Sequence, residues 1–484
     1  MNGFSKRVWI GLLCIPVLFS CATYQRKLSA YYQQVDAGHY ERADALLSSN
    51  GFLQRDRNQL LYYMEKGKLF HLRGLYDSSN LYFNKADDLI EEKRKSAGDV
   101  FLGASVNPML QTYLGEDHER FLIHYYKAIN YLQLGNTEGA RVEARRIQLS
   151  EDALNDKTRK ENKYQQDAFA LILQGLLYEA AGEANNAFIS YRNAAELYLK
   201  NGGNYYGVAL PNQLKHDLIS AARASGFGDQ ADYYTNATKP KEEMNAQPAG
   251  GWLVLFIETG SAPVKQEVRY SVTQGANGFY FYGNDGLRQD VFIDRNRFND
   301  NQLSQIRNTT IAIPYYQPRS FNSPSVQVRL NGNNYKPEDV ANMNALCARL
   351  MQERIGKEIA NALIRQLVKR VTEKGSEAIA TAAAQKSDTK KDGTKKTEAE
   401  KRKDAQNAEA IGAAVGLLMN VVNNATEKAD TRNWQSLPAF IQYVRIPLQA
   451  GVNSIELSAG NQQKTITVQG NGGIQLQNWI VRGR

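Results

Sequence analysis

The side chains here with the best claim to chemistry are three cysteines, five histidines and a pair of neighbouring glutamates. Cys14 and Cys21 lie at the extreme N-terminus, and Cys347 stands alone between Leu346 and Leu350 on an apolar helix stripe, where a thiol is buried and inert. His39, His71, His118, His124 and His216 all precede residue 239, and none recurs at a metal-ligand spacing on one helix face. Glu258 and Glu267 can approach each other, but nothing places them across a scissile bond as acid–base work on a glycoside requires. Asp294-Arg-Asn296 opens like a calcium loop, which Phe298 and a missing glycine then break. There is no nucleophile elbow, zinc-protease helix or phosphate loop. The expectation is a protein that is not an enzyme, with no metal and no cofactor.

The chemistry expected at the N-terminus is covalent. Lys6 and Arg7 precede an uncharged apolar run from Val8 to Phe19, followed by Ser20 and Cys21. A positive start, a short apolar core and a small residue at the cut site make a signal peptide over residues 1–20. The run is about 12 residues, and a spanning helix needs roughly 20. Leu18-Phe19-Ser20-Cys21 resembles the lipobox of bacterial lipoproteins. The resemblance implies cleavage before Cys21, a diacylglycerol on its thiol and an acylated amino group. Ala22 is not the aspartate that often retains such proteins at the inner membrane, and no acidic run follows. The expected location is therefore the outer membrane, with the body facing the periplasm. The net charge of +9 does not by itself indicate nucleic acid, and export makes that role less plausible.

Positioning elements come next, and internal repeats come first among them. Gly67, Phe70, Gly74, Tyr76, Ser79, Phe83 and Ala86 align with Ala128, Tyr131, Gly135, Thr137, Ala140, Ala144 and Ile147. They align again with Gly175, Tyr178, Gly182, Ala184, Ala187, Tyr191 and Ala194. Partial copies run from Gly38 and Gly226. The first small residue lets a second helix approach, and the turn glycine takes the left-handed conformation that ends the first helix. The pattern resembles tetratricopeptide repeats, over a domain spanning 21–238. Such hairpins stack into a solenoid with a concave groove. By repeat position Lys68, His71, Gln133 and Glu179 should face that groove and contact a partner.

A polar stretch at 239–251 reads as a linker. Beyond it Trp252–Ile257 is a buried strand, and further strands are predicted at Glu267–Val272, Gly278–Tyr282, Thr309–Tyr316 and Ser325–Leu330. An insertion at 337–428 opens at Pro337 with an amphipathic helix whose far side carries Arg349, Lys357, Arg365, Lys369 and Arg370. That face either packs beside a sheet or lies on an anionic membrane. Within the insertion, 386–404 reads as a disordered charged loop, and Ile411–Val422 as a returning helix. Strands resume at Phe440–Leu448, Ser454–Ser458, Lys464–Val468 and Ile474–Val481, and the strands on both sides of the insertion are predicted to join. The expected class is α+β multidomain: an N-terminal α-solenoid of tetratricopeptide-like helical hairpins, then a β-sandwich over 252–484 with an inserted helical hairpin.

Three motifs carry a second resemblance. Gly251-Trp-Leu-Val-Leu-Phe-Ile-Glu-Thr-Gly260, continued by Ala262-Pro-Val-Lys-Gln-Glu267, is one. Ala429-Asp-Thr-Arg-Asn-Trp434 with Leu437-Pro438, and Arg445-Ile-Pro-Leu-Gln-Ala-Gly451, are the others. They are similar to the signature of uncharacterised repeat-bearing lipoproteins of diderm bacteria. By resemblance, such proteins are often encoded beside small lipoproteins that activate peptidoglycan synthases. The functional expectation is a lipid-anchored envelope scaffold or adaptor. Its groove would bind envelope proteins, with peptidoglycan-synthesis regulators among the candidates. A surface nutrient- or glycan-binding lipoprotein and a cell-wall enzyme with a cryptic site stay open as alternatives.

Overall fold

The computed structural model describes residues 24–94, 108–158, 166–241, 247–274, 279–283, 288–289, 309–320, 324–384 and 427–481. The signal segment with Cys21, the Asp294–Asn296 stretch, the 386–404 loop and Ile411–Val422 lie outside them.

The first half is an array of helical hairpins: α1 (Tyr24–Asp36) with α2 (Tyr40–Ser48), α3 (Gln59–Leu72) with α4 (Tyr76–Arg94), and α5 (Asp117–Gln133) with α6 (Thr137–Thr158). Then follow α7 (Ala168–Ala180) with α8 (Ala184–Lys200), and, after a short antiparallel ribbon of β1 (Asn204–Tyr205) and β2 (Val208–Ala209), α9 (Asn212–Ala224) with α10 (Gly228–Thr238). One local device closes every hairpin. Gly38, Gly74, Gly135, Gly182 and Gly226 have φ between +71° and +77°. The amide of the next residue reaches back five positions in each case, as in Leu75 N–H to Phe70 O at 2.9 Å and Glu183 N–H to Tyr178 O at 2.8 Å. This is the helix-ending turn that a left-handed glycine permits. The small residue ahead of it is equally specific, since a Cβ on Gly67 would lie 2.6 Å from the Phe83 ring.

The described residues of the second half build three four-stranded sheets. β3 (Trp252–Thr259) is central in the first, flanked by antiparallel β11 (Phe440–Pro447) and parallel β14 (Ile474–Val481), with β10 (Glu338–Asn342) outside β11. The second runs β13 (Gln462–Gly470), β12 (Gly451–Ala459), β8 (Val326–Leu330) and β9 (Asn333–Tyr335). These two stack as a sandwich around Leu253, Leu255, Ile257, Ile446, Ile455, Leu457 and Val328. Strands from both sides of the insertion therefore join, as the alternation predicts.

Two expectations need correction. The strands β4 (Val264–Gln274), β5 (Phe279–Gly283), β6 (Arg288–Gln289) and β7 (Thr309–Gln317) form a third sheet outside the sandwich. The helix does not open at Pro337: that residue precedes β10, and α11 runs Met343–Ala384. The apolar stripe of α11, through Ile359, Ala362 and Leu363, packs on Val272, Phe281, Ile311 and Ile313 of the third sheet. Its Arg365 and Lys369 are buried on Glu427, at 3.0 and 2.7 Å. At these two positions the basic face is an internal ion-pair network and not a membrane surface. No helix among the described residues is long and apolar enough to cross a membrane.

α10 ends at Thr238 and β3 opens at Trp252, flanking the predicted linker. The two halves are nevertheless not separate bodies. One hydrophobic core contains Tyr125, Phe169 and Tyr198 of the helices together with Val254, Phe256, Ile441, Tyr443 and Leu476 of the first sheet.

Candidate functional site

Alternation along β3 aims Leu253, Leu255 and Ile257 into the sandwich, and Val254, Phe256 and Glu258 into the helical array. Glu258 is the one charge in an otherwise apolar strand, and it is 1% exposed. Lys68 Nζ donates to it at 2.6 Å, Tyr126 Oη at 2.7 Å, Tyr125 Oη at 3.1 Å and Asn478 Nδ2 at 2.7 Å. Burial pushes its pKa up, but the Lys68 ammonium and these hydrogen bonds hold the carboxyl below its usual range. Lys68 also donates to the Tyr126 hydroxyl. Asn478 has two N–H groups and uses both, the second on His71 Nε2 at 2.9 Å. That makes Nε2 the acceptor, so the His71 proton sits on Nδ1, which donates to Asn130 Oδ1 at 2.6 Å. Burial, then the nearby Lys68 ammonium, bring the His71 pKa down to about 4, and the ring is neutral.

The same seam continues in both directions. Glu179 on α7 and Asp217 on α9 both hold Arg445 of β11, with Asp217 at 2.8 Å, and the Tyr443 hydroxyl donates to Asp217 at 3.3 Å. Glu338 caps the start of α9 through the Asn212 and Gln213 amides, at 2.9 and 2.7 Å. Arg432 is buried and donates to Asn58 Oδ1 and to the carbonyls of Gln111 and Pro108, at 3.0, 2.9 and 3.1 Å. Trp434 packs against Phe83 and Tyr126, with ring centroids 5.9 and 6.0 Å apart. Lys265 and Arg354 converge on Glu116 at 2.6 and 2.7 Å.

Of the four residues expected in an open groove, Lys68, His71 and Glu179 instead contact the chain's own first sheet, on β3, β14 and β11. Gln133 stands apart, exposed in the last turn of α5. Glu258 and Glu267 do not share a site, because Glu267 holds Arg269 and the Ala429 amide, at 3.0 and 2.8 Å. Sequence reading passed over Asn478, Arg432, Trp434 and Arg445 as contacts. Three of these stand in the motifs that carry the lipoprotein resemblance, and that was the available signal.

The titratable clusters are internally compensated. Asp87, His124 and Glu143 bring ligand atoms within 4.8 Å of one another, a spacing that suits a metal. Lys127 Nζ already lies 2.5 Å from Asp87 and 3.0 Å from Glu143, so the cluster carries its own cation. Cys347 is buried as predicted, with Sγ 3.5 Å from His118 Nε2. Burial pushes the thiol pKa well up and the His118 pKa down to about 4, so neither the thiolate nor the imidazolium forms near neutrality.

Two buried carboxylates, Glu65 and Glu119, rest on hydrogen bonds instead. Glu119 accepts from Tyr113 Oη at 2.6 Å and from the Trp434 and Glu116 amides at 2.7 and 3.0 Å, with no cation on it among the described residues. Burial, then the neighbouring Glu116 carboxylate, raise it to about 7. The folded chain thus keeps a proton that the unfolded chain releases near pH 4.3. This contribution to stability is complete below about pH 4.3 and is lost as pH rises through 7. Glu119→Gln should make the slope of unfolding free energy between pH 5 and 7 more positive, by up to one proton's worth. Urea unfolding at half-unit pH steps measures it, and an unchanged slope would show that Glu119 is already ionised at pH 5.

At one end of the seam a cleft of about 1090 Å³ opens. The turns after α1 and α3 form one wall, with Asp36, Tyr40, Arg73 and Tyr76; Asn461–Lys464 and Asn478–Ile480 form the other.

No family model and no curated protein matches the chain. Among solved structures it is similar to BtubC (BKLC) from P. vanneervenii, at 14% identity and TM-score 0.31, over 46% of this chain and 84% of that one. It is also similar to the MamA protein, at 15% identity and TM-score 0.27, over 46% of this chain and 96% of that one. At these scores neither likeness adds to what the hairpins themselves establish.

Proposed function

We propose that this chain is a lipid-anchored adaptor of the bacterial cell envelope that holds a protein partner near the outer membrane, on its periplasmic side. The observation that supports the reading best is the closed seam. Helices and sheet share one core, so the chain offers a rigid body with a cleft at its surface, and no assembled catalytic set appears among the described residues. Lipidation at Cys21 adds confinement: a tethered partner sees an effective concentration up to about millimolar, so a weak contact suffices. Peptidoglycan-synthesis regulators are the first partners to seek, on the strength of the lipoprotein resemblance.

Cys21→Ala should move the protein from the membrane fraction to the soluble envelope fraction. It should also deplete the partners recovered by crosslinking in cells by more than tenfold, with an unchanged melting temperature. A diacyl-modified peptide beginning at any other residue, or an undiminished partner set on the released protein, would overturn the reading.

A further inference from the structure

We propose that the free edge of β14 takes an extended peptide segment of the partner as an added strand, seated in the cleft; this rests on the adaptor reading above. β14 closes its sheet, pairing with β3 on one side and, among the described residues, with no other strand. Asn478, Trp479 and Ile480 all line the cleft. Consecutive strand residues point to opposite faces, so a cavity that meets three in a row meets the strand along its backbone edge. The opposite wall, at Arg73 and Tyr76, is a pair of helix ends, not a strand. The space between is where the next strand of the sheet would lie, about 4.8 Å from β14.

The character of this edge is the second observation. Exposed edges are normally protected by charge, proline, a bulge or brevity. β10, at the other end of the same sheet, carries Glu338 and Asp339 and a register irregularity before Ala341. β9, closing the second sheet on that side, is three residues long. β14 reads Ile-Gln-Leu-Gln-Asn-Trp-Ile-Val, eight residues with no charge, no proline and an unbroken register with β3. Its protection is steric instead. The Asn461–Lys464 hairpin and the two helix turns wall the cleft beside this edge, and a single extended peptide is the narrowest occupant that can continue the ladder between such walls. Main-chain hydrogen bonds would then give affinity, and the half-buried Tyr40 and Tyr76 rings would select side chains on alternate positions.

The test uses the full mature chain and a displayed library of ten-residue peptides as the probe. Selected peptides are resynthesised with N-methyl groups on alternate residues, in each of the two registers. Strand addition predicts that one register weakens binding by more than tenfold while the other stays within about twofold, because only alternate amides face β14. Asn461→Trp, at the exposed hairpin tip, should block the cleft and abolish binding with no change in melting temperature. Equal tolerance of both registers, binding that survives Asn461→Trp, or a selection that returns no binder would overturn the proposal. So would a concentration-dependent dimer that Asn461→Trp dissolves, since the occupant would then be a second copy. Wild-type cells decide the broader reading separately. A partner set that Asn461→Trp leaves intact removes the cleft but keeps the adaptor, whereas no partner set at all removes both.

Discussion

Lys68→Met should cost about 3–5 kcal/mol of stability, far more than a lysine on a helix surface ordinarily could. Lys68 and Glu258 are 2% and 1% exposed and 2.6 Å apart. Removing one partner of a buried pair leaves the other charge without compensation in a poorly solvated interior. Methionine keeps much of the lysine's volume and can still lie over the Tyr126 ring, whose centroid is 3.9 Å from Nζ. The cost therefore reports charge more than cavity. Tyr125, Tyr126 and Asn478 would still donate to Glu258 and moderate the loss without supplying a cation. Lys68→Met with Glu258→Gln should recover most of it, because an amide keeps an acceptor for the tyrosines and has no charge to neutralise. Guanidinium unfolding of the wild type, the two single variants and the double gives the coupling. Additive effects under about 1 kcal/mol would mean that helices and sheet do not close on each other in solution.

What could be read from the sequence follows from how local each feature is. The hairpin turns depend on one glycine and an amide five residues away, so Gly74, Gly135 and Gly182 were legible at once, and so were the faint copies at Gly38 and Gly226. Strand positions were legible from apolar runs, since Ile474–Val481 needs only its own composition. Pairing was not. β3 lies parallel to a strand more than two hundred residues away, and no short-range pattern encodes that choice. The third sheet was missed for the same reason: β4 and β7 alternate just as the sandwich strands do. Lys68 and His71 contact the chain's own strands, and in sequence a polar residue at such a repeat position looks the same whether solvent, a partner or the chain's own strand will cover it. The clue lay on the other side of the contact. A lone Glu258 inside Trp252–Thr259 is too costly to bury as a charge unless a cation or several hydrogen-bond donors wait for it. The cleft was beyond sequence altogether, because its walls come from the turns after α1 and α3, the β12–β13 hairpin and the β14 edge.

The chain should also fail to divide at its linker. Expressed as 24–241 and 247–484, neither piece alone should give a soluble, cooperatively melting protein, while co-expression should give a one-to-one complex. The face of the first sheet that meets the helices carries Val254, Phe256, Ile441, Tyr443 and Leu476, each 3% exposed or less. Phe256 alone lies edge-on to both Tyr125 and Phe169, at 5.6 and 5.7 Å between centroids. Burial of each such side chain contributes about 1.5–3 kcal/mol. Five together approach roughly 10 kcal/mol, comparable with the entire stability of a typical domain. A sheet with that face uncovered presents one contiguous apolar patch, and such patches aggregate. The polar seam adds to the cost, because Trp434 needs Phe83 of α4 and Glu119 of α5, and Arg432 needs Asn58, Pro108 and Gln111 of the first half. Limited proteolysis separates the two outcomes without redesigning the chain. Protease should cut within 239–251, a polar stretch joining the two halves, yet the fragments should co-migrate on sizing until denaturant is added. Fragments that part at once, each with its own sharp melting transition, would restore two independent domains and reopen the inner face of the helical array to an outside partner.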